Sequence, residues 1–122
     1  MNILAIFIGG GIGSVLRYLT SILFLEIKFY QLPLPTLFVN IVASLILGIC
    51  FTLFQTKISI PPSLKLAITC GFCGGLSTFS TFALETFNLL ELNPTIAITY
   101  SVISVIFCVL AIFLGMQIGK LF

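Results

Sequence analysis

The sequence predicts an all-α membrane protein with four transmembrane helices per subunit, the third broken near its middle. Three observations carry this prediction. Of 122 residues, 60% are hydrophobic and only 7% charged, with a mean hydropathy of +1.33. Soluble domains carry about a quarter charged residues, so the solvent of this surface is lipid. The apolar residues fall into four runs, each near the roughly 20 residues that cross about 30 Å of hydrocarbon. The third run contains "GFCGGLSTFSTF", Gly71 to Phe82, which packs three glycines, four hydroxyl residues and three phenylalanines into twelve positions. Residues 1–122 are used up by four spans and short links, so the chain reads as a single four-span membrane domain.

The first span is expected from about Ile3 to Leu25. Its N-terminal part lacks the basic segment and cleavage site of a signal peptide, so it is read as a retained helix. The link "EIKFYQLPLP" leads to a second span from about Thr36 to Phe54. The next link, "QTKISIPPS", carries two adjacent prolines that suit a turn opening a helix. The third run extends from about Leu64 to Leu90, and "ELNP" turns the chain into a last span from about Thr95 to Ile118, closed by Gly119 and Lys120.

Composition also excludes functions. There is no histidine and no aspartate, and the acidic residues are Glu26, Glu85 and Glu91. General acid–base chemistry and zinc sites draw on these residue types, so the chain is not read as an enzyme. A net charge of +2, with five basic residues scattered over four spans, forms no nucleic-acid patch. Cys70 and Cys73 form a C-x-x-C, but without histidine or a second pair they are read as small apolar residues.

Every span has one face unlike a lipid-facing surface. Gly9, Gly13, Arg17 and Ser21 repeat at four-residue spacing, as do Thr36, Asn40, Ser44 and Gly48, and then Tyr100, Ser104 and Cys108; such residues share a helical face. Small residues there let helices approach closely in lipid. Asn40 and Arg17 ask for more. A buried amide must be satisfied, either by an interhelical hydrogen bond or by a wet cavity. Arg17 either snorkels to the interface or lines a vestibule that concentrates anions. Glu85 is an ionisable group within a span, a functional candidate or the neutralising partner of a basic residue.

Gly74 and Gly75 are the expected site of the helix break, since they permit backbone angles that a helix does not use. Irregular backbone at membrane depth is tolerated only inside protein or around a wet cavity, and half-helices are how membrane proteins build ion sites from main chain. Phe79 and Phe82 share a face of the second half-helix. Their rings carry positive edges able to contact a small anion.

These residues carry a resemblance. "GGGIGSVLRY" (9–18) resembles the first-span G-G-x-x-G-A-x-x-R-Y of the Fluc/CrcB family of fluoride channels. "TLFVNIVASLILG" (36–48) is similar to its T-L-x-V-N-x-x-G-x-F-x-x-G, and "GFCGGLSTFSTF" to its G-x-x-G-G-x-T-T-F-S-T-F, followed by an acidic residue at Glu85. The similarity covers nearly the whole chain. It implies an antiparallel, dual-topology dimer in the cell membrane, formed with itself or with an inverted homologue. It also implies a structural Na⁺ at the dimer centre on the main-chain carbonyls of Gly74 and Ser77. The fluoride pathway it implies is made of Asn40, Phe79, Phe82, Ser80, Thr81, Tyr100 and Ser104, with Arg17 in the vestibule. Three departures stand out: Ser77 where the family has Thr, Ala43 and Leu45 where it has Gly and Phe, and Cys108 where a further hydroxyl would continue the fourth-span track.

The residues support the same function physically. Fluoride is small and strongly hydrated, so a pore must replace its water with donors, which Asn40, Ser80, Thr81 and Ser104 supply, while binding stays weak enough for exit. The expected activity is passive export of fluoride from the cytoplasm. The alternatives are a non-transporting membrane scaffold or assembly subunit, which needs no hydroxyl-lined break, and a small proton-coupled drug exporter, which depends on a carboxylate deep in the first span. That span has Arg17 and no acid. Lys57, Lys65 and Lys120 on one side against Lys28 and Arg17 on the other give only a slight orientation bias.

Overall fold

The computed structural model describes residues 1–25, 32–56 and 60–122. All regular structure among them is helical, and four helical stretches are long and apolar enough to cross a membrane. Lys28 and Lys57, on which the orientation bias partly rests, lie outside the described residues.

Helix α1 spans Asn2–Leu23, about 33 Å at 1.5 Å per residue. It ends as the Phe24 amide bonds back to the Thr20 carbonyl. Most of its large side chains are exposed, with Ile3 at 86% and Phe7 at 76%, as expected of a surface wetted by lipid. Helix α2 covers Leu34–Thr56. Pro35 falls in its first turn, where a missing N–H costs nothing. At its far end the Lys65 ammonium donates to the Phe54 carbonyl at 3.0 Å and sits 5.6 Å from the centre of the Phe54 ring, so a cation closes the negative end of the helix.

The third span is built in pieces. Pro62 opens α3, Pro62–Leu66, at its first position, and Pro61 before it is extended, as a residue preceding proline prefers. The chain then widens into a π-helix, Ala67–Cys73, and tightens into α4, Gly74–Leu76. Ser77 and Thr78 are extended, at φ −77°, ψ 159° and φ −153°, ψ 119°. Helix α5, Phe79–Leu92, follows. Asn93 turns the chain, its side chain accepting from the Thr95 and Ile96 amides at 3.0 and 3.3 Å. Pro94 then starts α6, Pro94–Gly119.

The third helix is therefore broken near its middle, but not at Gly74 and Gly75. Both lie in α4, and Gly74 has an ordinary helical conformation at φ −67°, ψ −34°. The break falls three residues later, at Ser77 and Thr78, in backbone angles open to any residue. The reason is a competing partner: the Thr78 amide, which in a continuous helix would donate to the Gly74 carbonyl, donates to the Asn40 side chain.

The glycines do a different job. A Cβ on Gly9, Gly13 or Gly75 would overlap the carbonyl oxygens of Ala67, Phe72 and Gly10, and one on Gly71 would lie 2.7 Å from the Ile6 carbonyl oxygen. Main chain thus packs on main chain between α1 and the first half of the third span, the close approach that small residues permit in lipid. A second seam joins α2 to α6, where Gly48 faces the Ile112 carbonyl, Gly115 faces that of Leu45, and a Cβ on Gly119 would lie 2.8 Å from that of Ile49. Helix α5 packs on α6 instead of α1. Two apolar clusters flank the break: Val39, Ala43 and Leu76 on one side, and Leu89, Ala97 and Tyr100 on the other. The chain changes packing partner where its helix breaks.

Candidate functional site

The break is held open by one side chain. Asn40, on the second turn of α2, accepts from the Thr78 amide through Oδ1 at 2.8 Å and donates to the Thr78 carbonyl through Nδ2 at 3.3 Å. One amide therefore satisfies both main-chain groups that an extended residue at membrane depth exposes. The Thr78 hydroxyl, itself buried, caps α5 by accepting from the Thr81 amide at 3.3 Å and donates to the Thr81 hydroxyl at 3.0 Å. The Ser80 hydroxyl lies 3.5 Å away. Several hydroxyls thus collect at the N-terminus of a 14-residue helix, the end whose free N–H groups and dipole favour anions.

Three recesses meet at this point. The first, of about 300 Å³, is bounded by Asn40, Ser44, Ser77, Thr78, Phe79 and Phe82, and by Ser104 and Cys108 of α6. The second, of about 340 Å³, is bounded by Ser14, Arg17, Ser21, Thr36, Thr78, Thr81 and Glu85. Thr78 is the residue common to both. The third, of about 160 Å³, contains Thr69, Cys73, Gly74 and Ser77, and shares Ser44 and Ser77 with the first. The extended pair Ser77 and Thr78 is therefore the partition between all three.

Asn40, Phe79, Phe82 and Ser104 are brought together in the first recess, with the Phe79 and Phe82 rings 5.8 Å apart and Phe79 80% exposed. Ser104 is buried, one helical turn from Tyr100. Thr81 and Arg17 sit together in the second recess, and Gly74 and Ser77 in the third. Ser80 is exposed and lines none of the three. Tyr100 is 2% exposed and reaches the first recess only through Phe82, whose ring lies 5.4 Å from its own.

The role of Glu85 and the sites at Thr36 and Thr78 were not legible beforehand. Both Glu85 carboxylate oxygens accept from hydroxyls, Oε1 from Thr36 at 2.7 Å and Oε2 from Tyr100 at 3.1 Å, and among the described residues no basic side chain pairs with Glu85. The partners are 49 and 15 positions distant in the chain, so no local spacing could reveal them. Thr36 belonged to the polar stripe of α2, the one available hint. Of the C-x-x-C thiols, Cys73 is buried and Cys70 exposed, so the two meet different surroundings.

The main-chain carbonyls of Gly74 and Ser77 are hard oxygen donors, the chemical type that would hold a monovalent cation. Diverting the Thr78 amide to Asn40 releases the Gly74 carbonyl from the helical ladder, and Gly74 has open space where a Cβ would be. Main-chain oxygens released from a helical ladder are the donor type that Na⁺ takes at broken helices.

Residues 4–116 match the family described as CrcB-like protein, Camphor Resistance (CrcB). Among the relatives, the fluoride-specific ion channel FluC 1 of Yersinia pseudotuberculosis is 49% identical over 90 residues, 74% of this chain and 70% of its own. The fluoride-specific ion channel FluC of Nitrobacter winogradskyi is 42% identical over 119 residues, 97% of this chain and 94% of its own. That of Magnetococcus marinus is 38% identical over 122 residues, 99% of both chains. With four apolar spans, a third helix opened by an asparagine, and a match over nearly its full length, the chain belongs to the CrcB family.

Proposed function

We propose that this protein is a passive, fluoride-selective ion channel of the plasma membrane that lets fluoride leave the cytoplasm. The observation that carries the proposal is the opening of the third helix at Ser77 and Thr78 by Asn40, in a chain whose relatives are fluoride-specific channels. Fluoride enters cells as HF from acidic surroundings and is trapped as the anion at cytoplasmic pH. A membrane potential that is negative inside then drives it out, so a channel suffices without ATP or a coupled proton.

In this reading Arg17 raises the local anion concentration in the second recess. The Thr81 and Thr78 hydroxyls supply donors at the positive end of α5. The ring edges of Phe79 and Phe82 carry the ion through the first recess, which Ser104 also borders. Contacts of this kind hold fluoride loosely enough for release. The working unit is an antiparallel pair of this chain with itself or an inverted homologue, the third-span breaks facing each other. Gly74 and Ser77 would hold a Na⁺ there, whose positive charge offsets that of the passing anion. A proton-coupled exporter is disfavoured because α1 carries no acid.

The test is efflux from liposomes. Reconstituted protein should release fluoride, followed by a selective electrode, while chloride stays inside. Equal release of both ions, or of neither, would sink the proposal. Crosslinking of the reconstituted protein should report a dimer; a population of monomers that conducts would remove the paired arrangement and leave the channel.

A further inference from the structure

At the break, two main-chain carbonyls have each lost their helical donor to a side chain. In an unbroken helix the Gly74 carbonyl would accept from the Thr78 amide, and the Ser77 carbonyl from that of Thr81. The Thr78 amide donates instead to Asn40 Oδ1 at 2.8 Å, and the Thr81 amide to the Thr78 hydroxyl at 3.3 Å. No main-chain amide of the described residues reaches either carbonyl. These two bonds are the ones that would close the break from its ends. The ladder is intact up to the Ser77 amide, which donates to the Cys73 carbonyl at 2.9 Å, so a bond from Thr78 to Gly74 is its next rung. Helix α5 begins at Phe79, so a bond from Thr81 to Ser77 is the rung that would lengthen it backward. Adding a rung to a helix already formed is far easier than starting one, and a competing oxygen prevents each of these two. The third recess, of about 160 Å³, is bordered by the same two residues and by neither Gly75 nor Leu76 between them. The Ser77 hydroxyl is committed to the Cys73 carbonyl at 2.8 Å, so what Ser77 offers a ligand is its carbonyl.

We propose that Asn40 and Thr78 are positioning residues of the cation site: by holding the Thr78 and Thr81 amides, their side chains keep the Gly74 and Ser77 carbonyls free for Na⁺. The proposal rests on the reading that these two carbonyls hold the ion. Neither side chain is a ligand; each acts by occupying the amide that would otherwise quench one. Asn40 is itself fixed in this task, because its Nδ2 donates to the Thr78 carbonyl at 3.3 Å. Both residues also border the first recess, so the same hydrogen bonds that free the cation's oxygens shape the space ascribed to the anion. Loss of either competitor lets one rung form. Thr78→Val keeps the shape of the side chain but removes the oxygen that accepts from Thr81, leaving that amide to the Ser77 carbonyl. Asn40→Ala likewise returns the Thr78 amide to Gly74. In each variant Na⁺ must displace a hydrogen bond before it can bind.

The full chain is purified in detergent with N-methyl-D-glucamine as the only cation, and its thermal unfolding is followed by circular dichroism as NaCl replaces N-methyl-D-glucamine chloride at constant ionic strength. Na⁺ should raise the melting temperature of the wild type. In Thr78→Val and Asn40→Ala the Na⁺ concentration giving half the effect should rise by at least about fivefold, the worth of one hydrogen bond to be broken. Thr78→Ser, whose hydroxyl caps as threonine's does, should keep the wild-type midpoint. A purely structural role predicts something else: melting lowered equally at every Na⁺ concentration, with the midpoint unmoved. That result, or a midpoint shifted as far in Thr78→Ser as in Thr78→Val, would overturn the proposal. Should Asn40→Ala fail to fold, the two Thr78 variants decide alone. Wild-type melting indifferent to Na⁺ would overturn the proposal together with the cation site beneath it, while fluoride efflux from liposomes still judges the channel reading separately.

Discussion

Replacing Asn40 by Asp separates what its side chain does for the fold from what it does for the ion. The aspartate keeps an oxygen that accepts from the Thr78 amide, the shorter bond at 2.8 Å, and loses the donor to the Thr78 carbonyl, the longer one at 3.3 Å. Leaving one buried carbonyl unpaired costs about 1–3 kcal/mol, and a bond of that length belongs at the lower end. The charge costs more. A recess of about 300 Å³ has a radius of about 4 Å if it is taken as a sphere. Two like charges about 4 Å apart repel by about 4 kcal/mol at an effective dielectric of about 20, which is roughly a thousandfold in occupancy of the path by an anion. Asn40→Asp should therefore unfold in denaturant only slightly earlier than wild type, yet conduct fluoride orders of magnitude more slowly in liposomes. Flux near the wild-type rate would mean that no anion passes Asn40. A flux loss that only tracks a loss of folded protein would make the residue a strut and nothing more.

Other outcomes follow from the same geometry. Phe79→Ile should cut fluoride efflux sharply while dimers persist on crosslinking, because the exposed ring is exchanged for a side chain with no positive edge; unchanged efflux would place Phe79 outside the path. Gly75→Val should destabilise by at least about 1–3 kcal/mol through overpacking, since its side chain would strike the Gly10 carbonyl. Gly74→Ala should leave unfolding unchanged or raise stability by up to about 1 kcal/mol, because the position is helical with open space around it; a large loss in Gly74→Ala would return the break to the glycines. Glu85→Ala and Tyr100→Phe remove the two ends of one hydrogen bond, so their effects on efflux should not add in the double variant. Additive losses would mean that the two residues act separately.

The spans were readable because lipid imposes a strong rule: with so few charges, each apolar run had to be a helix of crossing length. The Asn93–Pro94 turn and the Pro61–Pro62 start were equally plain, since both are local chemistry. The break was legible in kind and misplaced by three residues. Glycine pairs suggest unusual backbone angles, but here they serve a seam with α1, and what opens the helix is Asn40, 38 residues before Thr78. Competition from a distant side chain leaves no local trace in the chain. For the same reason the stripe residues Asn40 and Ser104 were placed on the right faces, whereas the Thr36–Glu85–Tyr100 linkage, which joins three helices, became visible only in three dimensions.

The change of packing partner at Ser77 and Thr78 bears on biosynthesis. As the chain leaves the ribosome, residues up to Leu76 already have α1 and α2 to dock against. Helix α5 meets α2 through the Thr36–Glu85 hydrogen bond but lacks its main neighbour until α6 is synthesised, and the wall carrying Ser104 and Cys108 arrives last of all. It follows that the conduit is completed only when insertion ends, so a half-made chain leaves the host bilayer sealed.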